Sequence, residues 1–143
     1  MSNVYRVFEA PSAGTKDLPI AASPWHFERD ARIPLGHWEL IIEFAKSIDR
    51  DRAELLEKYS VGEFDKDSYL DMDESALSQV IGFMVELKSK LESPNSITVF
   101  KNRVFNEVEE EFENDEYQRM LDAVVAVYKE SQRLGEPVCA YND

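Results

Sequence analysis

Apolar residues recur at steps of three and four through most of the chain, the spacing that places them on one face of an α-helix. The first run predicts a helix over about 37–59, bent or broken near Asp49, where the stretch DRDRAE interrupts the apolar positions. The second predicts a helix that starts at Asp71, with Glu74 three residues later as in a capping box, and stops before Pro94. The apolar positions are Trp38, Ile41, Ile42, Ala45, Ile48, Leu55, Leu56 and Tyr59, then Leu77, Val80, Ile81, Met84, Leu87 and Leu91.

The last third of the chain carries two apolar sets, separated by a jump of five residues from Phe112 to Tyr117. The first set predicts an amphipathic helix over about 96–113, and a strand at 96–100 is the alternative because that segment is rich in β-branched residues. The second predicts a helix over about 115–134, terminated by Gly135 and Pro137. We expect a turn or kink at Asn114, between the two sets.

Residues 1–35 differ from the rest because prolines and the PSAG stretch interrupt them repeatedly. A short strand is possible at 4–8, but the segment as a whole predicts an irregular, Pro-rich N-terminal arm that packs on the body through the aromatic stretch PWHF at 24–27. The predicted fold is therefore mainly α, a single-domain bundle of four to five helices. Residues 36–143 form its helical acidic domain, and the arm belongs to the same folding unit.

Composition and charge limit the function classes. With 143 residues, 43% of them hydrophobic, the chain is long enough to bury one core without disulfides or metal. The formal net charge is -13, and residues 107–143 alone carry eleven acidic against three basic side chains. Such a chain repels phosphate backbones and anionic lipid, so we expect no direct binding to nucleic acid or to membranes.

Cysteine usage and the opening residues suggest a compartment. Cys139 is the only cysteine, which excludes an internal disulfide and a thiolate zinc site. The first residues lack the features of a signal peptide, and no apolar run approaches the length of a membrane span. We expect a cytoplasmic protein.

No motif predicts catalysis. His26 and His37 are eleven residues apart and lack the spacing of a metal site. Phosphate-binding glycine loops and nucleophile elbows are absent. The stretch DKDSYLDMDE fails as a calcium loop in both registers, because Leu70 or Ala76 occupies the position that requires glycine. We expect no cofactor, no metal and no enzymatic activity; a small enzyme using carboxylates or a divalent ion is the least favoured alternative.

The stretch EVEEEFENDE at 107–116 is the principal functional candidate. Its glutamates recur four residues apart, a spacing at which like charges destabilise a helix. A second acidic stretch at 63–74 has six acids and a single lysine. We expect both stretches to contact a basic partner, with exposed tyrosines as anchors. The predicted partner-binding residues are Glu107, Glu109, Glu110, Glu111, Glu113, Asp115, Glu116 and Tyr117, with Asp65, Asp67, Tyr69 and Asp71.

A surface of this charge would speed association with a cationic protein and favour it over acidic ones. The sequence therefore favours a non-enzymatic, acidic protein-binding module. Its general character is that of an inhibitor or immunity-type protein, which neutralises a basic partner, a toxin or nuclease-like domain, by occluding its cationic cleft. The alternative is a helical adaptor or a homodimeric assembly protein whose apolar faces bind a second helix.

Overall fold

The computed structural model describes residues 4–10, 25–27, 30–60, 70–91, 97 and 112–143. These residues form four helices and a four-stranded antiparallel sheet. The elements are β1 (Tyr5–Glu9), β2 (His26–Phe27), β3 (Asp30–Pro34), α1 (Leu35–Ile48), α2 (Arg50–Lys58), α3 (Glu74–Lys90), α4 (Asn114–Leu134) and β4 (Cys139–Asn142). The mainly helical character agrees with the prediction, but the sheet is a second layer that a pure helical bundle lacks.

The sheet joins the two ends of the described chain. Its strand order is β2-β3-β1-β4, and Phe8 of β1 lies opposite Ala31 of β3 on one side and Ala140 of β4 on the other. The predicted strand at 4–8 is confirmed within one residue. The prediction of an irregular arm is wrong for 26–27 and 30–34, because these segments become regular by pairing with each other and with β1.

One face of the sheet packs against the helices. The ring of Phe8 lies edge-on to Trp38 of α1, with 4.9 Å between the ring centroids, and 5.9 Å from the ring of Tyr128 of α4. Arg6, two residues before Phe8, donates a hydrogen bond of 2.9 Å to the carbonyl of Ser60, which follows α2. Trp25, predicted to pack on the body, is buried in the same core.

Aspartate side chains begin two of the helices. The predicted break near Asp49 is confirmed, because Asp49 is extended and its side chain accepts a hydrogen bond of 3.2 Å from the backbone N–H of Arg52. The cap of α3 is Asp73, which accepts a hydrogen bond of 2.7 Å from the N–H of Ala76. The prediction of Asp71 as the start of this helix is therefore two residues early.

The predicted limits of the last helix are confirmed. Phe112 and Glu113 are not helical and α4 begins at Asn114, so a break separates the two apolar sets. At the other end Gly135 adopts a left-handed backbone with φ of 68°, and its N–H donates a hydrogen bond to the carbonyl of Gln132. The predicted helix over 96–113 is wrong at Phe112 and Glu113; the rest of it, with the alternative strand at 96–100, lies outside the described residues, except for Ile97, which is buried.

The helical core contains the predicted apolar faces and extends beyond them. Most predicted positions are buried, and Leu40, Phe44, Phe83 and Val127 are buried as well. The burial of Leu40 and Phe44 fits the position of α1, which packs against α2, β1 and β3 and so has more than one covered side.

Helices α3 and α4 pack antiparallel. The side-chain amide of Gln132, near the end of α4, donates to the hydroxyl of Ser78, near the start of α3, at 3.1 Å. At the opposite end Lys88 forms an ion pair of 2.9 Å with Asp122, and its carbonyl accepts a hydrogen bond from Gln118. The start of α4 therefore lies beside the end of α3, and the end of α4 beside the start of α3.

Candidate functional site

The predicted binding residues divide between the two ends of α4. Four of them lie at the start of α4: Glu113, Asp115, Glu116 and Tyr117. Asp71 precedes α3 and lies beside the end of α4. The remaining predicted residues lie outside the described part of the chain: Glu107, Glu109, Glu110, Glu111, Asp65, Asp67 and Tyr69.

We call Glu113, Asp115 and Glu116 the α4 acidic end. Glu113 occupies the N-cap position but its side chain makes no capping hydrogen bond, and Asp115 lies in the first turn. Both side chains are exposed, and neither forms an ion pair with a described residue. Carboxylates are favourable at a helix N-terminus, where the backbone N–H groups carry partial positive charge. The local helix dipole thus tolerates two carboxylates that remain accessible to a partner.

Glu116 is engaged inside the protein. Its carboxylate accepts a hydrogen bond of 3.0 Å from the indole Nε1–H of Trp25 and forms an ion pair of 2.6 Å with Arg119. It is half-buried, unlike Glu113 and Asp115. Glu116 therefore holds the start of α4 to the segment before β2 and offers a partner less charge than its two neighbours.

The prediction that Tyr117 is an exposed anchor is wrong, because its side chain is completely buried. Its hydroxyl oxygen lies 2.8 Å from Nδ1 of His37, which is in the first turn of α1 as predicted. Its ring also contacts the ring of Phe112, with 6.3 Å between the centroids. Phe112 precedes the N-cap and Tyr117 is the fourth helical residue, the positions of a hydrophobic staple.

His37 completes an aromatic cluster under the α4 acidic end. The centroid of its ring lies 4.6 Å from that of Phe112, and the ring of Phe112 also contacts Trp25, with 5.5 Å between the centroids. Burial lowers the pKa of His37 to about 4. A general base works best with a pKa near the operating pH and access to substrate. This imidazole is neutral at pH 7 and only 5% exposed, which suits a packing role better than proton transfer.

Asn114 fastens the same region to α3. Its amide donates a hydrogen bond of 3.2 Å to the carbonyl of Leu91, and its side-chain oxygen accepts one of 3.3 Å from the N–H of Ile97. The α4 acidic end is thus held by hydrogen bonds and ring contacts to several parts of the fold.

A second surface contains only one of the predicted binding residues, Asp71. A cleft of about 520 Å³ lies where the start of α3 meets the end of α4, and we call it the α3–α4 cleft. A backbone hydrogen bond of 2.8 Å from Leu70 to Val138 holds its two sides together. Its lining residues are Leu70, Asp71, Met72, Glu74, Leu77, Ser131, Gln132, Gly135, Glu136, Pro137 and Val138. The two halves are about sixty residues apart, so no local pattern could have indicated this cleft.

Of the second predicted acidic stretch, the structure places Asp71 far from the described residues at the start of α4. Helix α4 has 21 residues, and at a rise of about 1.5 Å per residue its ends are about 30 Å apart. Asp71 lies at the far end of this helix from Glu113 and Asp115. Asp71 therefore belongs to the α3–α4 cleft and not to the α4 acidic end.

In the described part of the chain, no three His, Cys, Asp or Glu side chains are grouped so that they could hold a metal ion. None of the helices in these ranges is both long and apolar enough to cross a membrane. Cys139 is buried in β4. No protein-family model, curated protein or solved structure matches the chain, so the only basis for a function is its own residues.

Proposed function

We propose that this protein is a non-enzymatic acidic binding module that neutralises a basic, nuclease-like protein by occluding its cationic cleft. The observation that carries the proposal is an unequal use of charges on the described surface. Many basic side chains are already bound by the protein's own carboxylates, whereas several exposed carboxylates have no such partner. The bound cations are Arg32, Lys46, Arg50, Arg52, Lys88, Arg119 and Arg133.

The exposed carboxylates that form no ion pair lie at or near the starts of three helices, α2, α3 and α4. Asp51, Asp71, Glu74, Glu113 and Asp115 are exposed and form no ion pair with a described residue. The helix dipole stabilises a carboxylate at a helix start by about 0.3–1 kcal/mol but does not neutralise its charge, so the described surface keeps an acidic excess. An uncompensated negative surface attracts a cationic protein and raises its association rate, which is what an inhibitor of a basic protein requires.

Preorganisation supports the α4 acidic end as the principal contact. Binding costs free energy when interface groups must be ordered, and this cost falls when they are already held. Asn114 and Tyr117, which flank Asp115 and Glu116, are fixed by hydrogen bonds to α1, Leu91 and Ile97. Glu113 and Asp115 are therefore presented by a backbone that has little freedom left to lose.

The adaptor or homodimer alternative receives less support. Assembly through apolar faces requires a contiguous exposed apolar patch. Among the described residues the large exposed apolar side chains are Val4, Val85 and Leu134, which lie before β1, on α3 and at the end of α4. The apolar faces of the helices are instead used in the protein's own core.

The test is affinity capture from the native host, followed by binding kinetics with the purified captured protein. We expect a basic partner whose affinity falls as the salt concentration rises. Changing Glu113→Gln and Asp115→Asn together should weaken binding by on the order of tenfold, chiefly through slower association. Adding Glu109→Gln, Glu110→Gln and Glu111→Gln should enlarge the loss.

The matched control changes Asp51→Asn and Glu54→Gln. It removes the same charge from exposed positions, and Asp51 and Asp115 both lie in the first turn of a helix. A general charge effect would weaken binding equally in both variants, and that result would contradict the proposed contact. Recovery of no basic protein, or binding that does not respond to salt, would contradict the proposed function itself.

A further inference from the structure

We infer that the α3–α4 cleft receives an arginine side chain of the basic partner. The inference rests on the proposed function and extends it to a second contact, at the end of α4 opposite to the α4 acidic end. The cleft combines an apolar lining with carboxylates: Leu70, Met72, Leu77 and Val138 against Asp71 and Glu74. Arginine has a matching division, an aliphatic stem that packs on apolar surface and a charged head that binds carboxylates.

The charge of the lining favours a cation. Asp71 and Glu74 are exposed and form no ion pair or hydrogen bond with a described residue, and the described lining contains no lysine or arginine. Arg133, next to the lining residue Gln132, donates a hydrogen bond of 2.9 Å to Glu130. Because α3 begins where α4 ends, the opposite partial charges of the two helix termini offset each other, and the carboxylates set the sign of the potential.

A buried hydroxyl provides a second and independent indication. Ser131 lines the cleft and is fully buried, yet its Oγ has no hydrogen-bond partner among the described residues. Buried polar groups are nearly always hydrogen-bonded, since an unsatisfied one is destabilising. A guanidinium offers five N–H donors, so one could bind this oxygen, once the Ser131 side chain turns toward the cleft, while others bind the carboxylates.

Other occupants fit the cleft less well. A bare metal ion needs converging ligands, and no such group occurs in the described ranges. A neutral apolar segment would remove Asp71 and Glu74 from water without compensation, which is costly for charged groups. The volume of about 520 Å³ is that of a small-ligand pocket and suits one long side chain better than a whole helix. The planar guanidinium can also bind two carboxylate oxygens at once, which an ammonium group cannot do.

The experiment is an NMR titration of the isotope-labelled protein with Nα-acetyl-arginine amide. The comparison ligand is Nα-acetyl-citrulline amide, which has nearly the same shape and no charge. We expect saturable shifts of backbone amides at Leu77, Gln132 and Gly135 with the arginine compound and none with the citrulline compound. Shifts of equal size with both ligands, or no saturable shift at the cleft, would overturn the inference.

Variants distinguish specific binding in the cleft from a general effect of the protein's net charge on binding. Asp71→Asn with Glu74→Gln should weaken arginine amide binding by on the order of tenfold, whereas Asp51→Asn with Glu54→Gln, which removes the same charge from α2, should not. Ser131→Ala should also weaken binding without lowering the melting temperature, because the hydroxyl it removes makes no hydrogen bond with a described residue. Equal weakening by the first two variants would refute a specific site.

The two proposals fail in different ways. If a basic partner binds and depends on Glu113 and Asp115, but the cleft does not bind arginine amide, the inference is wrong and the proposed function stands. If the cleft binds arginine amide and the host yields no basic partner, the cation site is supported and the proposed function is wrong.

Discussion

Acidification from pH 7.5 to pH 5 should destabilise the fold through His37. The imidazole is 5% exposed, its Nδ1 lies 2.8 Å from the hydroxyl oxygen of Tyr117, and its ring packs against that of Phe112. Burial lowers its pKa to about 4, because a positive charge loses its hydration in this cluster. Proton uptake therefore favours the unfolded chain, in which the ring is hydrated.

The sign and size follow from the two pKa values. A histidine in the unfolded chain has a pKa of about 6.5. Because the folded pKa is lower, the contribution of His37 is fully present above about pH 6.5 and is lost as the pH falls from there toward 4. The full difference between the two pKa values corresponds to about 3 kcal/mol of unfolding free energy. Only part of this is lost by pH 5, and after allowing for residual solvent around the ring we expect a loss of about 1–2 kcal/mol.

The measurement is urea denaturation of the wild type and of His37→Asn at both pH values. Asparagine places a polar atom near the position of Nδ1 but does not titrate. The carboxylates are the same in both proteins, so their contribution to the pH dependence of stability cancels in the comparison. The variant should be less stable at pH 7.5, because it loses the ring contact with Phe112. The wild type should lose about 1–2 kcal/mol more than the variant on acidification.

Two results would refute this reasoning. One is an identical pH dependence of the unfolding free energy in the two proteins. The other is an NMR titration in which the His37 ring signal, identified by its absence from the variant, has a pKa near 6.5 in the folded protein.

Three further predictions concern stability and are checked by urea or thermal unfolding. Asp73→Ala should cost about 1 kcal/mol, because it removes the cap of α3, whereas Asp71→Ala should cost almost nothing; equal effects would contradict the position of the cap. Tyr128→Phe should cost about 1–3 kcal/mol, since the buried hydroxyl donates a hydrogen bond of 2.6 Å to the carbonyl of Tyr59, and an unchanged stability would contradict it. Gly135→Ala should cost about 1 kcal/mol, because φ at this position is 68° and alanine is strained there; an unchanged stability would contradict the left-handed end of α4 at Gly135.

Local signals in the sequence determined where the helices begin, end and bury a face. The break at Asp49, the start of α4 at Asn114 and its end at Gly135 were all readable, because caps and left-handed glycines act over a few residues. The apolar period also marked most of the core. The prediction of Tyr117 as an exposed anchor is wrong although Tyr117 begins the buried set, since aromatic residues are common both in cores and at interfaces.

Contacts between segments that are far apart along the chain could be seen only in the folded structure. Strands β3 and β4 have five and four residues, too few for a clear alternation, and become strands by pairing with β1. The bond between His37 and Tyr117 spans 80 positions. The α3–α4 cleft likewise joins segments about sixty residues apart, and the length of α4 separates Asp71 from Glu113. Contacts between distant segments depend on the packing of whole elements, which a periodic pattern of residues does not specify.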